Sequence, residues 1–248
     1  MSEPKIAFFD IENAPNLGYY YDSYKENNIV ACVRPWFMLS FAWKRPKEKK
    51  IFSRKLPDYP GYKNNKTSDE KLVHDLWKLF DSHDYLIGHN IRRFDCRKAN
   101  SRFIKWGLRP PSPYIILDSL TEWRSVAAQD SNRLDALSKF VGSRGKLPTQ
   151  GWDTWEGAIN GDMKSWAIMD RYNKHDVVEA EIIWDVIAPW KKKHPQLFDT
   201  GCPVCGSLAH RRGRVRQTEK FQFQCQNETC GHWFTARDEH GERNRRRS

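Results

Sequence analysis

The sequence predicts an α/β protein in which helices cover a mixed β-sheet, followed by a small separate C-terminal module. Three observations carry this expectation. Apolar runs of strand length alternate with stretches of helical period. A length of 248 residues suits one large domain and one small one. Four of the six cysteines lie within residues 201–237, a stretch compositionally apart from the rest. With 39% apolar residues, 13% aromatic and eleven Trp, the large domain can bury a substantial core.

Ile6–Ile11 is apolar on both faces, as a central strand is. Trp36–Trp43 and Ile51–Leu56 make two more strands, joined by the polar Lys44–Lys50 as a hairpin loop. Thr67-Ser68-Asp69-Glu70 has capping-box spacing, with Thr67 at the N-cap and Glu70 at N3. Behind it Leu72, Val73, Leu76, Leu79 and Phe80 recur at helical period. Tyr85–His89 reads as a short buried strand, and a helix carrying Asp95 follows, stopped by Gly107 and the Pro-rich Arg109–Pro113. Tyr114–Leu120 is another strand. Leu134–Val141 is helical and ends at Gly142, and Asp162–Ile187 is the longest helical stretch, with Pro189 marking its end. The large domain is thus residues 1–190. Residues 191–200 read as a polar linker, 201–237 as the small module, and 238–248 as a basic disordered tail ending Asn-Arg-Arg-Arg-Ser.

Charge narrows the choice of partners. Lys and Arg number 42 against 31 Asp and Glu, a net charge of +11 with pI ≈ 9.4. From Lys191 onward there are 13 basic and 6 acidic residues, so the last quarter carries +7 of the excess. That asymmetry points to a polyanionic partner. No apolar run approaches the roughly 18 residues of a membrane span, and no signal-peptide hydrophobic region follows the first residues. The expectation is an intracellular, cytoplasmic protein, where clustered cysteines bind metal more often than they form disulfides.

Acidic residues sit beside three apolar elements. Asp10 and Glu12 end the first run, and as i and i+2 on a strand they present oxygens to one side. Asp95 closes Asn90-Ile91-Arg92-Arg93-Phe94-Asp95, and Asp176 lies four residues after Tyr172, on one helix face with it. Alone, each pattern is met at solvated strand ends and on surface helices. Together they place four carboxylates against core segments, which is costly unless cations offset them. An all-oxygen set suits Mg²⁺ or Mn²⁺.

In these residues the chain resembles the DEDD 3′–5′ exonucleases (DnaQ-like) of the ribonuclease H-like superfamily. The family's Asp-x-Glu is matched by Asp10-Ile11-Glu12, its Asn-x₃-Phe-Asp by Asn90 to Asp95 after Leu86-Ile87-Gly88-His89, and its Tyr-x₃-Asp, typical of the tyrosine subclass, by Tyr172 to Asp176. The stretch Leu134–Gly142 looks like the family's segment before the third motif, and the likeness covers roughly residues 5 to 188.

The resemblance implies a ribonuclease H-like mixed sheet flanked by helices. It also implies two Mg²⁺ or Mn²⁺ ions held by Asp10, Glu12, Asp95 and Asp176. One would activate the attacking water and the other would stabilise the leaving 3′ oxygen. Tyr172 would orient the water, since a tyrosine's reference pKa of about 10 makes it a poor base. Asn90 and Phe94 would shape the terminal-nucleotide pocket, and Asn13, where the family commonly has Thr, would contact substrate. The histidine subclass places its His five residues before the last Asp, where this chain has Arg171. His175, next to Asp176, is turned about 100° away and reads as structural or substrate-adjacent.

Cys202-Pro203-Val204-Cys205 and Cys225-x₄-Cys230 flank an alternating β-like segment and resemble a zinc ribbon, one structural Zn²⁺ on four thiolates. His232 is an alternative fourth ligand. Four thiolates and Zn²⁺ sum to −2, so the chain's charge becomes about +9. Arg211, Arg212, Arg214 and Arg216, interleaved with Phe221, Phe223, Trp233 and Phe234, suit phosphates and bases. Docking on a protein partner and pure stabilisation are the other roles open to the ribbon. Cys32 and Cys96 read as ordinary small buried residues.

The leading expectation is a 3′–5′ exonuclease acting on a DNA or RNA 3′ end, DNA favoured, with the ribbon holding substrate. Two alternatives stay open: a structure-selective endonuclease on the same fold, and a non-catalytic nucleic-acid-binding protein.

Overall fold

A computed structural model of the chain describes residues 4–21, 29–145, 147, 151–191, 194, 195, 197, 201–215 and 218–237. The apolar run at the start forms β1 (Ile6–Asn13), followed by a separate hairpin of β2 (Leu17–Tyr19) and β3 (Ala31–Arg34). Then come β4 (Met38–Lys44), β5 (Phe52–Lys55), α1 (Glu70–Asp81), β6 (Tyr85–Gly88), α2 (Asp95–Lys105), β7 (Ile115–Asp118) and α3 (Ser119–Val126). Three helices follow, α4 (Leu134–Phe140), α5 (Trp152–Asn160) and α6 (Met163–Ile187), before β8 (Ala209–Arg214), β9 (Lys220–Cys225) and β10 (Trp233–Arg237). The expected α/β architecture is there: a five-stranded mixed sheet in the order β5-β4-β1-β6-β7 with helices against it. β1, β6 and β7 pair in parallel, and the β4–β5 hairpin pairs antiparallel on the other side of β1.

β1 is the central strand because both its faces are apolar. Ala7, Phe9 and Ile11 enter one core with Leu39, Phe41, Leu72, Leu76 and Phe80, beneath α1 and α2. Ile6 and Phe8 enter a second core with Val177, Ile183, Trp184 and Ile187 of α6. The sheet is therefore covered on both sides, as a sheet with parallel strands at its centre must be.

The structure departs from the sequence reading in several places. The N-cap of α1 is Asp69, not Thr67, and its side chain does not cap the helix. Asp69 is fully buried, pairs with Arg102 of α2, and accepts hydrogen bonds from Met38 N (2.8 Å) and Trp106 Nε1 (2.9 Å). A buried carboxylate needs that many partners, and they come from remote segments. Thr67 instead bonds Asn65 Oδ1 at 2.9 Å. The expected strand over 114–120 ends at Asp118. Its carboxylate accepts from Leu120 N (3.0 Å) and Thr121 N (3.4 Å) and so starts α3. The β2–β3 hairpin and α5 are additional elements. Cys96 is buried as expected, whereas Cys32 is exposed because it lies on that hairpin.

β8, β9 and β10 form a three-stranded antiparallel sheet carrying the cysteine cluster. This module packs onto the large domain. Within the segment expected as a polar linker, Leu197 is buried in the α6 core, and its N–H donates to Pro203 O at 3.2 Å. Val204 packs on the same core, His232 Nδ1 lies 2.7 Å from Pro189 O, and Lys47 Nζ donates to Cys205 O at 3.0 Å. The rest of that segment, apart from Lys191, His194 and Pro195, lies outside the described residues, as do Arg216 and the 238–248 tail.

His194 sits at this junction, its ring 5.7 Å from Trp184 and 6.0 Å from His232. Burial holds its imidazolium well down, from 6.5 to about 4. Above pH 6.5 it is neutral folded and unfolded alike. As pH falls toward 4 only the unfolded chain gains the proton, so stability is lost through that window. The expected loss at pH 5 is about 2 kcal/mol relative to pH 7. Urea titrations at the two pH values, compared with His194→Asn, check it; an equal loss in the variant rules His194 out as the cause.

Candidate metal centres

The pleat of β1 aims Asp10 and Glu12 to one side, the side on which Ile6 and Phe8 meet α6. α6 brings Asp176 to the same place, and one carboxylate oxygen from each of Asp10, Glu12 and Asp176 lies within 4.8 Å of the others. A register shift in the β1–β4 ladder falls between Glu12 and Asn13, where such irregularities re-aim side chains. Asp10 Oδ2 accepts from Asn173 Nδ2 at 2.6 Å, and Asn173 Oδ1 accepts from Ser40 Oγ at 3.2 Å. Ser40 stands opposite Glu12 in the ladder. Three carboxylates this close repel one another unless a cation joins them. Their donors are all hard oxygens, so the site fits Mg²⁺ or Mn²⁺.

Asp95 opens α2 beside the trio rather than within it. It is buried, and its Oδ1 accepts from Ile11 N at 3.3 Å. Burial foremost, then the charges of Asp118 and Asp176, push its carboxyl up to about 7. Tyr172, one turn before Asp176, is half-buried with its ring edge-on to Trp155 of α5 at 5.7 Å. Asn90 adopts the left-handed conformation, φ 65°, and its N–H donates to Asp118 at 2.9 Å. Phe94 is exposed. The amide nitrogen and oxygen of Asn13 are shielded from solvent and have no hydrogen-bond partner among the described residues. His175 is held away from the carboxylates, its Nε2 2.6 Å from Gly145 O and 3.3 Å from Glu179.

A cleft of about 940 Å³ opens from Asp10 and Asp176. His89, Asn90, Arg124, Arg133 and Lys139 also line it, together with Asp130 and Asp135, and Lys139 Nζ pairs with Asp135 at 2.7 Å. His89 bridges Ser119 Oγ and Asn132 O, both at 2.9 Å, and so fixes the loop that carries Arg133.

Two known proteins are similar in sequence to this chain. Protein NEN4 of Arabidopsis thaliana is 31% identical over 124 residues, 47% of this chain and 48% of that protein. DNA polymerase III PolC-type of Ureaplasma parvum serovar 3 is 35% identical over 77 residues, 31% of this chain and 5% of the polymerase. The chain spans about half the length of the first and a twentieth of the second. No family model matches. Among the described residues no helix is long and apolar enough to cross a membrane.

The second centre is formed by Cys202, Cys205, Cys225 and Cys230, whose sulfurs lie within 4.8 Å of one another. The Sγ–Sγ distances are 3.8 Å for Cys202–Cys230 and 3.6 Å for Cys205–Cys225. A disulfide needs about 2.05 Å, whereas a tetrahedron with Zn–S of about 2.3 Å has edges of about 3.8 Å. The spacing fits zinc. Hydrogen bonding from Cys230 lowers Cys202 to about 5, and the same bond pushes Cys230 far up. Burial lifts Cys225 to about 12. His232 points instead to Pro189 O and stacks with Phe234. The arginines of β8 are exposed; Arg211 stacks on Phe221 at 3.4 Å and Arg212 donates to Gln224 at 3.0 Å.

Asn173 and Arg133 escaped the sequence reading. Asn173 is fully buried one residue after Tyr172, on the face of α6 that carries Asp176. A polar residue three before a motif aspartate was the available signal. Arg133 had none, since it reaches the cleft through a loop.

Proposed function

We propose that the chain is a metal-dependent 3′–5′ exonuclease of the tyrosine subclass of the DEDD family, with DNA favoured over RNA. The observation that carries this reading is the carboxylate trio of β1 and α6, two of whose members, Asp10 and Asp176, line an open cleft. Likeness to a DNA polymerase supports the choice of DNA. In this reading residues 1–190 are the catalytic domain and 201–237 a zinc ribbon.

Asp10, Glu12 and Asp176 hold divalent ions, with Asp95 completing the set. Two such ions supply Lewis acidity for attack on the phosphodiester and for departure of the 3′ oxygen. Asn173 keeps the Asp10 carboxylate in place. Tyr172 orients the attacking water. Asn13, Asn90 and Phe94 shape the terminal-nucleotide pocket, and Arg124 and Arg133, which line the same cleft, contact phosphate. Arg211, Arg212 and Arg214 of the ribbon neutralise phosphates further along the strand.

The test uses DNA and RNA oligonucleotides labelled at the 5′ end, single- and double-stranded, with Mg²⁺ or Mn²⁺. Stepwise shortening from the 3′ end is expected, with none in EDTA. Cleavage of a substrate blocked at both ends would reassign the site to endonuclease action. Equal turnover in EDTA would sink the metal-dependent reading.

A further inference from the structure

Beyond the acid cluster the chain carries a group of exposed aromatic and aliphatic side chains that the proposed chemistry does not use. The β1–β4 ladder does not stop at Glu12. Ala14 N bonds Phe37 O at 2.9 Å, and Trp36 N bonds Asn16 Oδ1 at 2.8 Å. Leu17 then pairs with Arg34, Gly18 with Cys32 and Tyr19 with Ala31. The β2–β3 hairpin is thus an arm growing from the two strands that end at the acids. Its first residue lies five after Glu12, about 17 Å along an extended chain.

This arm is exposed on both faces. Tyr19, Tyr20 and Tyr21 are 69%, 60% and 85% exposed, and Ile29, Val30 and Val33 are each at least half exposed. Large side chains bared together mark an interaction site. At the base of the arm Lys98 Nζ sits 3.9 Å above the Trp36 ring and 5.8 Å from Phe94, the residue before Asp95. Rings and a cation thus lead from the arm toward the acids. On the same stretch Arg92, Arg93, Arg97 and Lys105 are exposed, whereas Arg102 is buried in its pair with Asp69.

We propose that the arm, with Trp36, Phe94 and Lys98, is a stacking track for a single nucleic-acid strand running away from the carboxylates. The proposal rests on the nuclease reading of those carboxylates. Charge selects this occupant. A second copy of the chain would set the same positive surface against itself, whereas a polyanion with flat bases matches both the cations and the rings. The Tyr rings give bases a stacking surface while their hydroxyls stay in water. Stacking of this kind is tolerant of sequence.

The experiment compares the full chain with Tyr20→Ala/Tyr21→Ala and with Lys98→Ala. Binding of fluorescein-labelled dT20 and U20 is read by anisotropy without divalent ions, and hydrolysis is read on dT20 and on the p-nitrophenyl ester of thymidine 5′-monophosphate. The double variant is expected to bind both oligonucleotides about 10- to 100-fold more weakly. Its loss on dT20 should exceed its loss on the ester at least about tenfold. Affinity within twofold of the parent chain, with an unchanged melting temperature, overturns the track. So does sedimentation showing a dimer that the double variant turns into monomer, which would make the arm a contact between copies. A parent chain that binds dT20 through the arm but cleaves neither substrate overturns the nuclease reading and leaves the track standing.

Discussion

Asp176→Asn is expected to remove hydrolysis while leaving the fold intact. The carboxylate and amide have the same shape, and α6 is anchored along its length by Trp166, Met169, Val177, Ile183 and Trp184. What changes is the charge facing Asp10 and Glu12, whose oxygens lie within 4.8 Å of that of Asp176. Metal-ion stabilisation in such sites is worth several kcal/mol, so kcat should fall about 10³-fold or more. Calorimetric titration with Mn²⁺ should show the loss of binding directly. Asn173→Ala is the instructive companion, because Asn173 touches Asp10 and supplies no carboxylate. Removing a residue that orients a ligand costs about 10- to 100-fold in metal affinity or activity, and excess Mn²⁺ should recover part of it. If Asp176→Asn binds Mn²⁺ as the parent does, the trio is not the metal site.

The contrast between these residues shows what a sequence displays and what it hides. Asp10 and Glu12 were legible because strand period alone puts i and i+2 on one side, and Asp176 was legible because helix period sets it beside Tyr172. Neither period says which helix will lie over which strand. The contacts of Asn173 with Asp10 and of His89 with Asn132 are therefore invisible until the fold closes. Asp69 makes the same point for local structure. The Thr67–Glu70 spacing suggested that Thr67 caps α1, but Asp69 takes the N-cap position, and Arg102 and Trp106, more than thirty residues away, decide where its carboxylate goes. Leu197 read as part of a polar linker because hydrophobic period cannot be judged over one residue. It is the core of α6 that claims it. The arm was missed for the opposite reason: its strands are exposed on both faces, and no alternation of apolar and polar residues marks such a hairpin.

Removing the second centre has the larger consequence for stability. Cys205→Ser/Cys230→Ser is expected to carry no zinc where the parent chain carries one per molecule, counted by inductively coupled plasma mass spectrometry. Structural Zn²⁺ sites contribute about 10–16 kcal/mol of apparent binding free energy. The β8–β10 sheet has little else: Phe223 is its one fully buried aromatic, stacked on Phe234 at 5.4 Å. The module should therefore unfold without metal. Because Leu197 and Val204 pack into the core of α6, and His232 meets Pro189 at its end, the damage should reach the large domain. A lowered melting temperature of that domain is expected, in contrast to a tethered ribbon, whose loss would leave it unchanged. Arg211, Arg212 and Arg214 would be displaced together. For a single strand each lost phosphate contact reduces the slope of log K against log salt by about 0.7, so three should reduce it by about 2. An unaltered slope in a zinc-free variant would mean that those arginines do not face nucleic acid, and would leave the ribbon a protein partner or a purely stabilising role.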